Sequence, residues 1–201
     1  MLFLYFAYNI QGDYMSIKIF IDQGHNPSGA NTGATGNSLN EAFVTYEVGI
    51  FLKRLLVNNG NFSVMLSRNL QTEVLGSSNS ESLFERVRMA NEWGADYFLS
   101  LHTNAVSNPM ANGTEIFTYR LYGPAYNMAS DILNSIVTRL DMRNRGVKQG
   151  SNLYVLRRTK MPALLIELGF ITNPQDAYKL KNNSFGFANA IYLGMLDYFG
   201  L

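Results

Sequence analysis

Short apolar runs alternate with longer amphipathic segments along most of the chain. The short runs predict strands at 17–22, 61–67, 95–101, 113–119, 153–156 and 163–167, and the longer segments predict helices at 38–58, 82–93, 124–140, 174–181 and 185–199. The polar stretches at 69–80 and 141–152 are predicted to be loops. This alternation is typical of a single α/β layered domain with a mostly parallel central sheet flanked by helices.

Polar side chains that could bind a metal or take part in catalysis lie near the ends of three predicted strands. His25 follows the first strand in the stretch IDQGHNP, His102 comes directly after the strand at 95–101, and Glu167 closes the strand at 163–167. Glu41 falls in the first turn of the helix after the His25 loop. Because the carboxyl ends of parallel strands meet at one edge of a sheet, we expect these four side chains to converge there.

Two neutral imidazoles and a carboxylate are the ligand set of a catalytic zinc ion. A second carboxylate nearby can then take a proton from water and return it to a leaving nitrogen. Structural roles are the alternative for three of these residues. Either histidine could simply form a hydrogen bond after its strand, and Glu41 could be a carboxylate favoured by the helix dipole. Glu167 is harder to explain structurally, since a carboxylate ending an apolar run loses its hydration. The chain has only two histidines, and both follow strands, which favours a metallohydrolase.

The amino-acid composition argues against several classes of function. The chain has 201 residues, of which 47% are hydrophobic and 15% charged, as expected for one globular domain with a substantial core. The net charge of +1 and the lack of a dense basic block argue against nucleic acid or an anionic membrane as a partner. Cysteine is absent, so a metal site must use histidine and carboxylates. No apolar run reaches the roughly 18–20 residues that span a bilayer.

The first residues form an apolar stretch, MLFLYFAYNI, with a composition of its own. No basic residue precedes this stretch and no small-residue cleavage site follows it, so it is a poor match to a signal peptide. A more natural start, MSIKIFIDQGH, begins at Met15. We therefore interpret residues 1–15 as an N-terminal extension and residues 16–201 as the folded domain.

Longer motifs connect the four residues. IFIDQGHNP, GATGNSLNE, SRN at 67–69, ERVRMANEWGADYFLSLHTNA and NLYVLRRTKMPALLIELGFITNP follow one another in that order. In these motifs the chain resembles the zinc-dependent N-acetylmuramoyl-L-alanine amidases of the type-3 amidase family, which includes autolysins, spore-cortex enzymes and phage endolysins. The resemblance runs from about residue 17 to the C-terminus. It implies a mostly parallel sheet flanked by helices and an enzyme that cleaves the amide between N-acetylmuramic acid and L-alanine in peptidoglycan.

By this resemblance, His25, Glu41 and His102 correspond to the Zn²⁺ ligands and Glu167 to the catalytic glutamate. Glu47 competes with Glu41 for the carboxylate position, but the motif alignment favours Glu41. The family usually has glycine after the first histidine, where this chain has Asn-Pro, and we expect this difference to alter the shape of the loop rather than the ligand.

Other residues in the motifs have open roles. We interpret Arg86 as an ion-pairing or packing residue and leave Arg68 undecided. Asn104 either orients a ligand or substrate or forms a turn after its strand. The polar segments 71–81 and 142–151 are candidates for contact with glycan or stem peptide, and plain solvated loops are the alternative.

Two rival functions remain at this point. One is a metallohydrolase that cuts another bond, such as a peptidase acting elsewhere in the stem peptide. The other is a non-enzymatic wall-binding module with a degenerate site, which the presence of all four residues disfavours. Peptidoglycan as substrate implies action outside the cytoplasmic membrane, although no convincing signal peptide indicates the export route.

Overall fold

A computed structural model describes residues 16–201, and the predicted extension at 1–15 lies outside them. The strands are β1 (Ile17–Gln23), β2 (Thr35–Gly36), β3 (Leu39–Asn40), β4 (Phe62–Leu66), β5 (Tyr97–Asn104), β6 (Thr114–Thr118), β7 (Asn144–Gln149) and β8 (Ala163–Phe170). The helices are α1 (Glu41–Asn59), α2 (Asn79–Trp93), α3 (Pro124–Leu140), α4 (Tyr154–Arg158), α5 (Pro174–Asn182) and α6 (Ser184–Phe199). None of these helices combines the length and apolar character needed to cross a membrane.

The central sheet has six strands in the order β4-β1-β5-β8-β6-β7. Neighbouring strands run parallel except β6 and β8, which are antiparallel. The short strands β2 and β3 form a separate antiparallel pair just before α1. The predicted α/β fold with a mostly parallel sheet is therefore confirmed, and the carboxyl ends of β1, β4, β5 and β8 share one edge of the sheet.

Each face of the sheet carries its own apolar cluster, because side chains alternate along a strand. One cluster packs α1, α3 and α6 against alternate residues of the central strands, including Ile21, Leu101 and Ile166. The other packs α2 and α4 against the opposite set, including Phe20 and Phe98. The second cluster is smaller, and the residues of the candidate site extend the row of side chains on this face.

Helix α1 begins three residues later than the predicted start at 38. Asn37 and Ser38 have φ values of 49° and 61°, in the left-handed region that a right-handed helix cannot include. They form the turn between β2 and β3. Asn40 then caps the helix, with its side-chain oxygen accepting a hydrogen bond from the backbone N–H of Ala42 at 2.9 Å. Glu41 is consequently the first residue of α1.

Strands β5 and β8 are longer than predicted, and this changes the placement of two candidate residues. β5 continues to Asn104 and β8 to Phe170, so His102 and Glu167 lie within strands rather than at their ends. The two residues are direct partners in the parallel pairing of β5 with β8. Both strands were predicted to end too early, because the polar side chains were taken as their ends. A strand can continue through a polar side chain when its other face remains buried.

Two further assignments were wrong. The predicted loop at 141–152 contains β7, and the predicted strand at 153–156 is mostly part of helix α4. β7 is an edge strand, so its sequence NRGVKQ needs no alternating apolar residues. In α4, Val155 and Leu156 are consecutive and both are buried, whereas consecutive strand residues point to opposite faces.

Candidate metal centre

Three of the four candidate residues meet at the carboxyl edge of the sheet. Nε2 of His25 lies 3.1 Å from Nδ1 of His102, and Oε1 of Glu41 lies 3.3 Å and 3.2 Å from these two nitrogens. One donor atom from each residue thus points at a common position, an arrangement that could hold a metal ion. The residues come from the loop after β1, from the start of α1 and from β5.

His25 is held from behind by Asn31. The Oδ1 atom of Asn31 lies 2.9 Å from Nδ1 of His25, and the Nδ2 group of Asn31 donates to Oγ of Ser82 at 3.0 Å. Since this oxygen can only accept, Nδ1 of His25 carries the proton and Nε2 is left free to face the other two donors. Burial lowers the pKa of His25, but its contacts with Glu41 outweigh burial and raise the pKa above its usual value.

Glu41 is almost fully buried and its carboxylate is fixed by backbone donors. Oε1 accepts a hydrogen bond from the N–H of Thr103 at 2.8 Å, and Oε2 accepts one from the N–H of Ala34, also at 2.8 Å. Burial raises the pKa of Glu41, but the contacts with His102 and His25 lower it well below the usual range. Glu41 is therefore an ionised carboxylate in a fixed orientation.

Two glycines leave room for the imidazoles. A Cβ atom at Gly24 would lie 2.5 Å from Cε1 and 2.6 Å from Nε2 of His102. A Cβ atom at Gly33 would lie 2.6 Å from Cγ of His25, and Gly33 also has a φ of 74° that favours glycine. These contacts explain why glycine flanks the histidine loop at both positions, a constraint that the sequence patterns did not reveal.

Glu167 lies next to this cluster, on the strand beside His102. One of its carboxylate oxygens, Oε2, is buried and has no hydrogen-bond partner among residues 16–201. Burial, together with the negative charges of Glu41 and Glu115, raises the pKa of Glu167 to about 8. A carboxyl group in this setting can both release and take up a proton near neutral pH.

Arg86 forms the expected ion pair and also supports the His25 loop. Its Nη1 atom donates to Oδ1 of Asp22 at 2.5 Å, and its Nη2 atom donates to the backbone oxygen of His25 at 2.7 Å and to Oδ1 of Asn26 at 3.2 Å. Burial raises the pKa of Asp22, but Arg86 and other partners lower it below the usual value. Asn26 is itself fully buried and also fixes the loop, since its Nδ2 group donates to the backbone oxygens of Ala30 and Leu75 at 2.9 and 3.0 Å.

Arg68, whose role the sequence left open, is also fully buried. Its guanidinium donates to the backbone oxygens of Ala42, Gln71 and Gln23 at 2.7, 3.3 and 3.4 Å. Burial and the nearby charge of Arg86 lower the pKa of Arg68 to about 10. The residue joins the first turn of α1 to β1 and to the loop after β4, and so contributes to the position of Glu41.

The remaining candidates lie apart from the three donors. Glu47 accepts a hydrogen bond from Oγ of Ser184 at 2.8 Å and is not one of the converging residues. Asn104 is the last residue of β5 rather than a turn residue, and its Nδ2 group donates to Oε1 of Glu115 at 2.8 Å. Glu115 and Asn31 are two buried or partly buried partners of the site that sequence reasoning missed, because each sits in a segment with no motif of its own.

Residues 19–197 match the family described as N-acetylmuramoyl-L-alanine amidase. The N-acetylmuramoyl-L-alanine amidase CwlM of Bacillus licheniformis is 42% identical over 171 residues, which is 84% of this chain and 62% of that protein. The sporulation-specific N-acetylmuramoyl-L-alanine amidase of Bacillus subtilis strain 168 is 40% identical over the same shares of the two chains.

A solved amidase structure shares the fold of this chain. N-acetylmuramoyl-L-alanine amidase AmiC2 of Nostoc punctiforme superposes with a TM-score of 0.79 at 30% identity, covering 92% of this chain and 98% of that chain. This chain spans about 62% of the length of the two curated Bacillus relatives. The matched region includes the three converging donors and Glu167.

Proposed function

The chain belongs to the N-acetylmuramoyl-L-alanine amidase family, and on that premise we propose that it hydrolyses the amide bond between N-acetylmuramic acid and L-alanine in bacterial peptidoglycan. The observation that carries this proposal is the convergence of His25, Glu41 and His102 beside Glu167, a carboxyl group with one buried oxygen. A metal cofactor fits both the family and this donor set.

We infer that the metal is zinc and that His25, Glu41 and His102 bind it. Two imidazole nitrogens and one carboxylate oxygen are donors that zinc prefers, whereas magnesium and calcium prefer oxygen. Ligands at about 2.0–2.1 Å around a tetrahedral ion stand roughly 3.3 Å from one another. The three donor atoms of this site are 3.1–3.3 Å apart, which agrees with that spacing.

We assign Glu167 the role of general base and then general acid. A bound zinc ion supplies Lewis-acid polarisation of the amide carbonyl and makes water more acidic. Glu167 takes the proton of the attacking water and then donates it to the departing nitrogen of L-alanine. The protein forms no covalent bond to the substrate in this mechanism. The environment of Glu167 suits both steps, since its pKa of about 8 lies near neutral pH and one of its oxygens lacks a protein partner among the described residues.

The test is release of new L-alanine amino termini from purified peptidoglycan, with bound metal measured in the same samples. We expect the wild-type protein to release them, a chelator to stop release and zinc to restore it. Glu167→Gln should keep its zinc and lose about 10²–10⁴-fold in turnover, the usual range for general acid–base catalysis. Glu41→Gln should lose zinc as well as activity.

Glu47→Gln is the matched control, because it makes the same change six residues further along α1, away from the donors. Its zinc content and activity should equal those of the wild type. New amino termini other than L-alanine would instead identify a peptidase that cuts elsewhere in the stem peptide. A zinc-loaded wild-type protein that releases no amino group would refute the proposed activity.

The substrate implies a place of action. Peptidoglycan lies outside the cytoplasmic membrane, so we propose that the enzyme acts on the cell wall. The endolysins, autolysins and sporulation amidases of the family reach that substrate in different settings, and the residues of this site do not distinguish among them.

A further inference from the structure

A row of charged side chains crosses the sheet beyond the candidate metal centre. His102 on β5 pairs with Glu167 on β8, and Glu167 pairs with Glu115 on β6. The Nε atom of Arg145 and the Nζ atom of Lys148, both on the edge strand β7, donate to Oε2 of Glu115 at 2.7 and 2.6 Å. The row therefore runs from a metal-binding candidate through two carboxyl groups to two cations.

Glu115 holds the two cations in place without covering them. Its side chain is only 6% exposed, whereas those of Arg145 and Lys148 are 27% and 40% exposed. Asn104 donates to the other carboxylate oxygen of Glu115, and the guanidinium of Arg145 stacks 4.8 Å from the ring centre of Phe170. The positions of both cationic groups are consequently restricted before any ligand arrives.

The charges of this group do not cancel. One carboxylate, Glu115, faces two cations, and Glu167 on the next strand makes no hydrogen bond to either cation among residues 16–201. Among residues 16–201, Arg145 has one hydrogen-bond acceptor apart from Glu115. This is the backbone oxygen of Asn112, which lies 3.4 Å from Nη1 of Arg145. Donors and one positive charge are therefore left for an external anion.

We propose that Arg145 and Lys148 form a subsite for a carboxylate of the stem peptide, namely the α-carboxylate of the acidic residue that follows L-alanine. This inference rests on the proposed amidase function. Glu115 is one strand spacing, about 5 Å, from Glu167, and the cationic groups of Arg145 and Lys148 contact its carboxylate. Two residues of an extended peptide span at most about 7 Å, so the α-carboxylate of the second residue lies up to about 7 Å from the scissile amide. The cations thus stand at the distance at which that carboxylate arrives.

The test uses two peptidoglycan preparations from one bacterium that differ only in amidation of this α-carboxylate. The measurement is the initial rate of L-alanine amino-group release at limiting substrate. We expect wild type to cleave the free-acid polymer about tenfold faster than the amidated one, since a charge-assisted hydrogen bond is lost on amidation. Lys148→Met should abolish most of this preference by slowing cleavage of the free acid alone, and Lys148→Arg should retain it.

Lys148→Met is chosen because Arg145 still pairs with Glu115 in that variant, so the fold keeps its buried carboxylate neutralised. Lys160→Met is the matched control, since Lys160 is exposed and lies before β8, at the opposite edge of the sheet. It should keep the wild-type preference.

The outcomes separate the two proposals. Release from neither preparation would refute the amidase function and with it this inference. Equal wild-type rates on both preparations would refute the subsite and leave the amidase function standing. A Lys148→Met variant that slows both substrates by the same factor would show a structural role only, and would also overturn the subsite.

Discussion

Replacing Arg86 by methionine should destabilise the protein far more than the same replacement of Arg88, two residues further along α2. Arg86 is 1% exposed and its guanidinium bonds to the Asp22 carboxylate and to the backbone oxygens of Gln23 and His25. Methionine would leave the carboxylate buried, with Ser100 as its one remaining side-chain hydrogen-bond donor among residues 16–201. Breaking a buried pair in this way costs about 3–5 kcal/mol in the free energy of unfolding.

The control is Arg88→Met, because Arg88 lies on the same helix and pairs with Glu85 and Glu92 at the exposed surface. Exposed pairs contribute little, so this variant should unfold close to the wild type. Urea unfolding at pH 7, followed by circular dichroism, gives both free energies. If Arg86→Met and Arg88→Met were equally stable, our account of the buried network behind His25 would be wrong.

The loss of unfolding free energy in Arg86→Met should also depend on pH. In the wild type the pKa of Asp22 is below its usual value of 3.8, so its contribution to stability is present above that pH and is lost as the pH falls through the lowered pKa. Removing Arg86 takes away the largest contact that lowers the pKa of Asp22 and leaves burial, which raises it. We therefore expect the pKa of Asp22 to rise above 3.8, so that the ionised carboxylate destabilises the fold once the pH exceeds 3.8. The difference in unfolding free energy between variant and wild type should therefore increase from about pH 4 to pH 7 and decrease below pH 4. A difference that did not change with pH would indicate that lost packing, and not the buried charge, causes the loss.

Three further changes test the shell around the metal donors. Asn31→Ala should weaken zinc binding about 10–100-fold in a competition titration, because it removes the partner that orients His25, and unchanged affinity would contradict that role. Gly24→Ala should lower zinc content measured by elemental analysis, since its Cβ would lie 2.5 Å from Cε1 of His102; full zinc occupancy would show that the strand can shift. Asn40→Ala should cost about 1 kcal/mol in urea unfolding through loss of the α1 cap, and no loss would mean that the β2–β3 turn alone sets the start of the helix.

The convergence of His25, Glu41 and His102 could be predicted because it depends on few assumptions. Apolar runs identify the central strands, and parallel strands connected by helices bring their carboxyl ends to one edge. An error of two or three residues in a strand end leaves that result unchanged. His102 and Glu167 illustrate this, since both lie inside strands that were predicted too short and still reach the site.

The partners that hold the donors could not be predicted in the same way. Asn31 orients His25 across a loop whose course depends on left-handed residues, including His25 itself with a φ of 68°. The space at Gly24 is set by an imidazole 78 positions further along the chain, on a neighbouring strand. Local patterns carry no information about such contacts, because the two groups become neighbours only when the sheet forms.

The error at 141–152 has a physical cause that bears on the proposed subsite. An edge strand with one open side can carry charged residues, so β7 reads NRGVKQ and lacks the apolar alternation that marks a strand. Those same charged residues, Arg145 and Lys148, find their counterion in Glu115 on the neighbouring strand. A loop at this position would leave Glu115 a buried carboxylate without cations, which is costly. The buried glutamate is thus paired through an edge strand that local patterning fails to detect, and that strand fixes the positions of the two cations beside Glu115.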